Sequence, residues 1–151
     1  MVRVMAQGTF DVLHPGHLHY LERSAELGDV LAVVVAKNER VSNRKDLLID
    51  QESRRDTVAG LKPVDEAYVG ESGDIYGILK KVRPDIVTVG YDQPYDLDRV
   101  QEDLEERGYG HIELVRISEY EPVDHEIVSS SEIKRRARER YGSEIFESIM
   151  D

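Results

Sequence analysis

The 151-residue sequence contains no cysteine and no tryptophan. Without cysteine there is no disulfide framework, no thiolate nucleophile and no cysteine-ligated metal site. Lysine is also scarce, with 6 residues against 14 arginines, and the 20 basic side chains are outnumbered by 31 acidic ones. The formal net charge of -11 argues against a bare nucleic-acid binder, which needs a basic footprint. Long apolar runs are missing as well. No stretch approaches the ~18 residues of a membrane-spanning helix, and the opening MVRVMAQGTF lacks the apolar segment of a secretion signal. The expectation is an acidic protein of the cytoplasm with no membrane or nucleic-acid partner. Abundant Asp and Glu with little Lys also suits a surface adapted to high salt. By length the chain is one domain spanning residues 1–151. A chain of this size buries roughly 70% of its unfolded surface, enough for a core without staples.

Apolar periodicity supplies what composition does not. Val2 to Ala6 alternates and stops at Gly8, which reads as a first strand. From Gly16 the spacing turns helical, with Leu18, Leu21, Ala25 and Leu27 on one side and Gly28 as the stop. The β-branched run Val30 to Ala36 is the pattern of a parallel strand covered on both faces. After a polar stretch, Lys37 to Asp50, a helix is expected over 51–61 and a short strand over 66–69. Asp74 is a candidate N-cap for a helix reaching Val82, and Pro84 separates it from a strand at 86–89. A helix over 97–107, a strand over 112–117, and a basic helix over 133–141 with a short acidic tail complete the chain. Five strands alternating with helices imply an α/β fold around a parallel sheet.

Ligands of such sheets sit beyond the carboxyl ends of the strands. The most informative of these loops is Gly8-Thr9-Phe10-Asp11-Val12-Leu13-His14-Pro15-Gly16-His17. A glycine directly after a strand lets the backbone approach a phosphate closely. Pro15 and Gly16 stand where a helix begins, so free backbone N–H groups and the helix dipole are expected to make an anion site. His14 and His17, three residues apart, can face one pocket and stabilise charge on a transferring phosphoryl group. At a positive helix end a neutral imidazole donating one hydrogen bond competes with an imidazolium. Two incidental histidines on a surface loop are the bland alternative. A metal site draws no support, because neither Cys nor a third clustered ligand accompanies the pair.

The ten-residue string resembles the G-T-F-D-x-x-H-x-G-H signature of the nucleotidyltransferase superfamily that includes the glycerol-3-phosphate and phosphoethanolamine cytidylyltransferases. Leu27-Gly28-Asp29 is similar to that group's L-G-D step. Leu61-Lys62-Pro63-Val64-Asp65-Glu66 resembles its stretch ending in V-D-E, and Pro84-Asp85-Ile86-Val87 followed by Val89-Gly90-Tyr91-Asp92-Gln93 its P-D-x-x-x-x-G-x-D strand and loop. Within the superfamily, Leu61 to Asp65 combined with Gly90 to Gln93 most resembles the archaeal FAD synthetases. The likeness spans about residues 2 to 140. Two departures stand out. The cytidylyltransferase element R-T-x-G-I-S-T-S/T meets Asp124 to Ser131 here, where the hydroxyls remain but the Arg and Gly are gone. Cysteines associated with some archaeal FAD synthetases are absent.

The resemblance implies a single Rossmann-like domain and transfer of AMP from ATP to FMN, with release of pyrophosphate. It assigns His14, His17 and Lys45 to catalysis. Nucleotide binding falls to Gly8, Thr9, Phe10, His14, Pro15, Gly16 and His17 in the first loop. Arg54, in a Glu52-Ser53-Arg54 setting, is expected on the β- and γ-phosphates. Asp92 holds nucleotide or acceptor, Tyr120 stacks on a base or flavin, and Ser129, Ser130 and Ser131 grip phosphate or cap the last helix. Asp11 is expected to orient the turn. Mg²⁺ is implied as the companion of the triphosphate, with no dedicated protein cage and no tightly bound organic cofactor. The resemblance also raises a homodimer. Two other readings stand beside this one: a CTP-dependent cytidylyltransferase acting on glycerol 3-phosphate or a similar phosphorylated alcohol, and a nucleotide-binding module without catalysis.

Overall fold

The β-branched run of the second strand forms the middle of the core, buried from Leu31 to Val35. The computed structural model describes residues 1–41, 47–72 and 76–150, with side chains through residue 142. The strands are β1 (Arg3–Gly8), β2 (Val30–Val35), β3 (Glu66–Val69), β4 (Ile86–Val89) and β5 (Glu113–Arg116), and the helices are α1 (Pro15–Ala25), α2 (Gln51–Ala59), α3 (Leu79–Val82), α4 (Leu97–Glu106) and α5 (Ser130–Met150). All four strand pairings are parallel, in the order β3-β2-β1-β4-β5. This is the α/β, five-stranded parallel architecture expected from the sequence. No helix among the described residues is long and apolar enough to cross a membrane.

Strand alternation divides the core into two layers. Val4, Ala6, Leu31 and Val33 pack with Leu21 and Val58 on one face. Met5, Ala32, Val34 and Val87 pack with Leu79, Leu104 and Ile112 on the other. Helices therefore cover both faces, as nearly continuous apolar strands require. The chain steps outward from β1 through β2 to β3, then returns across β1 to add β4 and β5. The loops after β1 and β4 diverge at that reversal, and a crevice opens between them.

A buried polar cluster fixes this junction. The Tyr20 hydroxyl on α1 donates to the Thr88 carbonyl at 3.0 Å and accepts from the Gln7 N–H at 3.2 Å. Beneath it, the fully buried Ser24 and Thr88 hydroxyls meet at 2.8 Å. The start of α1 is thus registered against the carboxyl ends of β1 and β4.

Three local expectations change. The inward side of α1 is Leu21 and Ser24, while Leu18 and Leu27 are exposed at 38% and 37%. The polar cluster needs Ser24 inside, which turns the helix away from the purely apolar reading. The third helix is a single turn, Leu79–Val82, closed by Arg83 in the left-handed region at φ 51° before Pro84. The proposed cap Asp74 lies outside the described residues. The last helix starts at Ser130 and continues to Met150, absorbing both the serine cluster and the expected acidic tail.

Thr88→Val strands the Ser24 hydroxyl in the core and is expected to cost about 1–3 kcal/mol, a drop of roughly 2–4 °C in Tm per kcal/mol. Adding Ser24→Ala removes the orphaned group. The double variant should therefore melt above Thr88→Val, and calorimetry of both variants checks it.

Candidate active site

The crevice at the β1–β4 reversal holds a polar cavity of about 520 Å³. Gly8, Thr9 and Phe10 form its floor, and His14, Gly16 and His17 its first wall. Asp92 and Tyr120 enter from the loops after β4 and β5, while Ser129, Ser130 and Ser131 close it from α5. Eleven of the expected nucleotide contacts, widely spaced in the chain, thus share one space.

The histidines cap α1 reciprocally. His14 Nδ1 accepts from the Gly16 N–H at 3.1 Å, and His17 Nδ1 accepts from the His14 N–H at 3.2 Å. The rings lie 3.8 Å apart, centroid to centroid, tilted by 32°. Since both Nδ1 atoms accept, the neutral rings carry their protons on Nε2. Burial and the neighbouring His14 push His17 down to about 4, so it is neutral near pH 7. His14 is also lowered by burial, against an opposing pull from the Asp92 carboxylate.

This geometry corrects the expected anion site. The Gly16 N–H is taken by His14 Nδ1, the His17 N–H bonds the His14 carbonyl at 3.0 Å, and Pro15 has no N–H. The helix start therefore presents imidazole donors to a ligand in place of free backbone amides. Pro15 is the first residue of α1 and does not line the cavity. Phe10 adopts φ 54°, unusual for a side chain of its size. Its ring sits 5.3 Å from that of His17 and only 2.9 Å from where a Cβ on Gly8 would lie. Glycine at position 8 is what lets the aromatic ring fold back under the histidine.

Arg54 is a second correction. It is 1% exposed and spends its guanidinium on the protein: Nε donates to the Ile49 carbonyl at 2.8 Å, and its terminal nitrogens to the Thr9 carbonyl at 2.7 Å and Asn38 Oδ1 at 2.6 Å. It fastens the nucleotide loop from behind and lines no part of the cavity. Asp11, expected to orient the turn, is buried and ties the first loop to Leu48 and Ile49 and to Lys134 on α5. Burial alone would push its carboxyl up, but the Lys134 ammonium at 2.5 Å and the N–H groups of Leu48 and Ile49 hold it below its ordinary value. Lys45 and its neighbour Arg44 lie outside the described residues.

The serines divide their work. Ser129 Oγ accepts from the Glu132 N–H at 3.3 Å as a cap, and Ser130 Oγ donates to the Val12 carbonyl at 2.9 Å, tying α5 to the first loop. Tyr120 packs its ring 5.3 Å from that of His19 and donates to Glu126 at 2.6 Å. Lys134, one of the cavity-lining residues, escaped the sequence reading. Its signal was the helical spacing of four from Ser130, legible only once α5 is known to begin there. Gln7 and Gln93 also line the space. Among the described residues, no three His, Asp or Glu side chains converge as a metal site.

Across the sheet lies a second, largely apolar cavity of about 400 Å³, lined by Met5, Val34, Val87, Val89, Leu104 and Tyr76, with Lys37 and Arg40 among its walls. Gln7, Gly8, Thr9 and Gln93 belong to both cavities, so the two adjoin at the β1–β4 junction.

Residues 5–136 match the family model described as cytidylyltransferase-like. The chain is 44% identical to the FAD synthase of Picrophilus torridus over 141 residues, covering 93% of this chain and 99% of that protein. It is 44% identical to the FAD synthase of Halorhabdus utahensis over 140 residues, 92% of this chain and 98% of the relative. A solved structure from Thermoplasma volcanium, described as a lipopolysaccharide core biosynthesis protein, superimposes with a TM-score of 0.76 at 43% identity, over 80% of this chain and 99% of that one. The family model covers most of the chain and these relatives match along nearly its whole length, so the chain belongs to the cytidylyltransferase-like family.

Proposed function

We propose that the protein is an FMN adenylyltransferase, joining AMP from ATP to FMN to form FAD and pyrophosphate. The observation that carries this reading is the pair of adjoining cavities. One is polar and holds the capped histidines. The other is apolar and meets it at Gln7–Thr9 and Gln93. The relatives named FAD synthase support the same assignment. The triphosphate takes the histidine side and the flavin ring the apolar side. Glycerol 3-phosphate has nothing to fill an apolar cavity of about 400 Å³, and the Arg and Gly of the cytidylyltransferase element are missing before Ser129.

In the reaction an FMN phosphate oxygen forms a bond to the α-phosphorus of ATP. The bond from that phosphorus to the α–β bridging oxygen breaks, and its electron pair leaves with pyrophosphate. The attacking phosphate is already ionised near neutral pH, so the protein supplies position and charge stabilisation in place of a general base. The Nε2–H groups of neutral His14 and His17 donate to phosphate oxygens as charge builds in the transition state. Lys134 and the hydroxyls of Ser129 and Ser131 complete the cradle, and Lys45, which precedes α2 in the sequence, is assigned to the phosphates. A divalent cation accompanying the triphosphate would neutralise charge on it, and Asp92, which lines the histidine cavity, is the residue that would face such an ion. The protein works as a cytoplasmic homodimer.

Crossing ATP and CTP with FMN and glycerol 3-phosphate in a pyrophosphate-release assay, at low and high salt, tests the substrate assignment. FAD should form from ATP with FMN alone. Turnover of CTP with glycerol 3-phosphate would replace this reading by the cytidylyltransferase one, and tight ATP binding with no pyrophosphate from any pair would point to a binding module.

His17→Ala and His14→Ala should each lower kcat by about 10²–10³-fold, the usual loss on removing one preorganised donor. His14→Asn keeps an N-cap acceptor, but its shorter amide cannot place a donor where the His14 Nε2–H stands, so it should hold the helix while losing the rate. Full activity in any of these variants would remove the histidines from the mechanism.

Burial sets the folded His17 below the ordinary value of 6.5, so the unfolded chain takes up that proton first. Stability from this group is complete above pH 6.5 and is lost as pH falls toward 4, on the order of 2–3 kcal/mol. Denaturant titrations at pH 7 and pH 4.5 should show a smaller gap for His17→Gln than for wild type.

A further inference from the structure

Strand β5 ends on Arg116, which the parallel register sets opposite Val89, the last residue of β4. Its guanidinium reaches over the loop that follows β4. One terminal nitrogen donates to the Gly90 carbonyl at 3.0 Å and the Gln93 carbonyl at 2.9 Å, and the other to the Tyr95 carbonyl at 2.6 Å. The loop is also braced from within. Gln93 Oε1 accepts from the Gly90 N–H at 2.7 Å, and the Tyr95 N–H donates to the Gln93 carbonyl at 2.8 Å. Three main-chain acceptors on one planar fork set both the position and the tilt of a loop, which a compact ammonium cannot reproduce.

That loop forms a wall of both cavities. Asp92 lines the histidine side, Tyr95 the apolar side, and Gln93 both. Asp92 lies near enough to His14 for its charge to be felt there. A wall shared by nucleotide and acceptor sets how the attacking oxygen approaches phosphorus, and small displacements of such a wall are costly in rate.

We propose that Arg116 is a positioning residue for nucleotidyl transfer, clamping the 90–95 loop so that the substrates of the two cavities meet in line. The inference rests on the assignment of ATP and FMN to those cavities. Arg116 lines neither cavity, so its removal takes no contact away from either substrate and shifts only the wall where the two meet. The loss therefore falls on kcat and spares both KM values.

Steady-state FAD formation by wild type, Arg116→Ala and Arg116→Lys, with melting curves and added guanidinium ion, tests this. Arg116→Ala should lose about 10- to 100-fold in kcat, with KM for ATP and FMN unchanged and Tm shifted by no more than about 4 °C. Arg116→Lys should fall between, and guanidinium should restore part of the alanine variant's rate, because the arginine is exposed and the clamp accessible. A kcat equal to wild type in Arg116→Ala overturns the proposal. So does a loss expressed in KM alone, or one that follows Tm and does not respond to guanidinium. If wild type itself makes no FAD from ATP and FMN, the functional reading fails. If wild type is active and the alanine variant matches it, only the role of Arg116 fails.

Discussion

The parallel pairing of β1 with β2 on one side and β4 on the other is the constraint from which the rest of the molecule follows. A central strand flanked by parallel neighbours offers no edge, and both its faces need helices. Its alternating residues Val4, Met5 and Ala6 accordingly seed two separate core layers. The chain reverses its direction of growth across this same strand. The loops leaving β1 and β4 must therefore part, and the space between them is the polar cavity. Tyr20, Gln7, Ser24 and Thr88 lock the parting point, so the first turn of α1 and its histidines inherit a rigid base.

Electrostatically the site differs from a cluster of cations. Arg54 is consumed by main-chain and amide acceptors behind the loop. Lys134 is shared with the Asp11 carboxylate. What lines the polar cavity is chiefly a set of oriented N–H and O–H dipoles, led by two neutral imidazoles whose tautomers are dictated by their capping bonds. Dipoles held in place need no reorganisation when charge develops, which is where their catalytic value lies. They also suit a chain of net charge -11, in which exposed cations would be drawn to surface carboxylates. Such exposed pairs do form at Arg23–Glu26 and along the first turns of α5.

Local signals carried further for strands than for helices. The β-branched run at Val30–Val35 and the short strands at Glu66–Val69 and Ile86–Val89 were readable because parallel strands are apolar on both faces. Helix faces and ends were harder to read. Leu18 and Leu27 fit an amphipathic stripe, yet the helix turns Ser24 inward to satisfy a hydroxyl on a strand 64 residues away. The serines before the last helix proved to be its cap and first turn, because Ser130 is anchored to the Val12 carbonyl across the fold.

The sequence by itself determined the order of strands and helices, the loop in which His14 and His17 stand three apart, and the chemistry those residue types can perform. Spacing along the chain controls these features, and they survive without tertiary context. Only the tertiary structure decided which cations face the ligand and which are structural. It turned Arg54 to the Thr9 carbonyl, brought Lys134 to Asp11, and closed Arg116 over the loop from Gly90 to Tyr95. A guanidinium or ammonium goes to the acceptors that burial leaves unsatisfied, and those acceptors come from elements far apart in sequence, so their positions exist only after the sheet has formed.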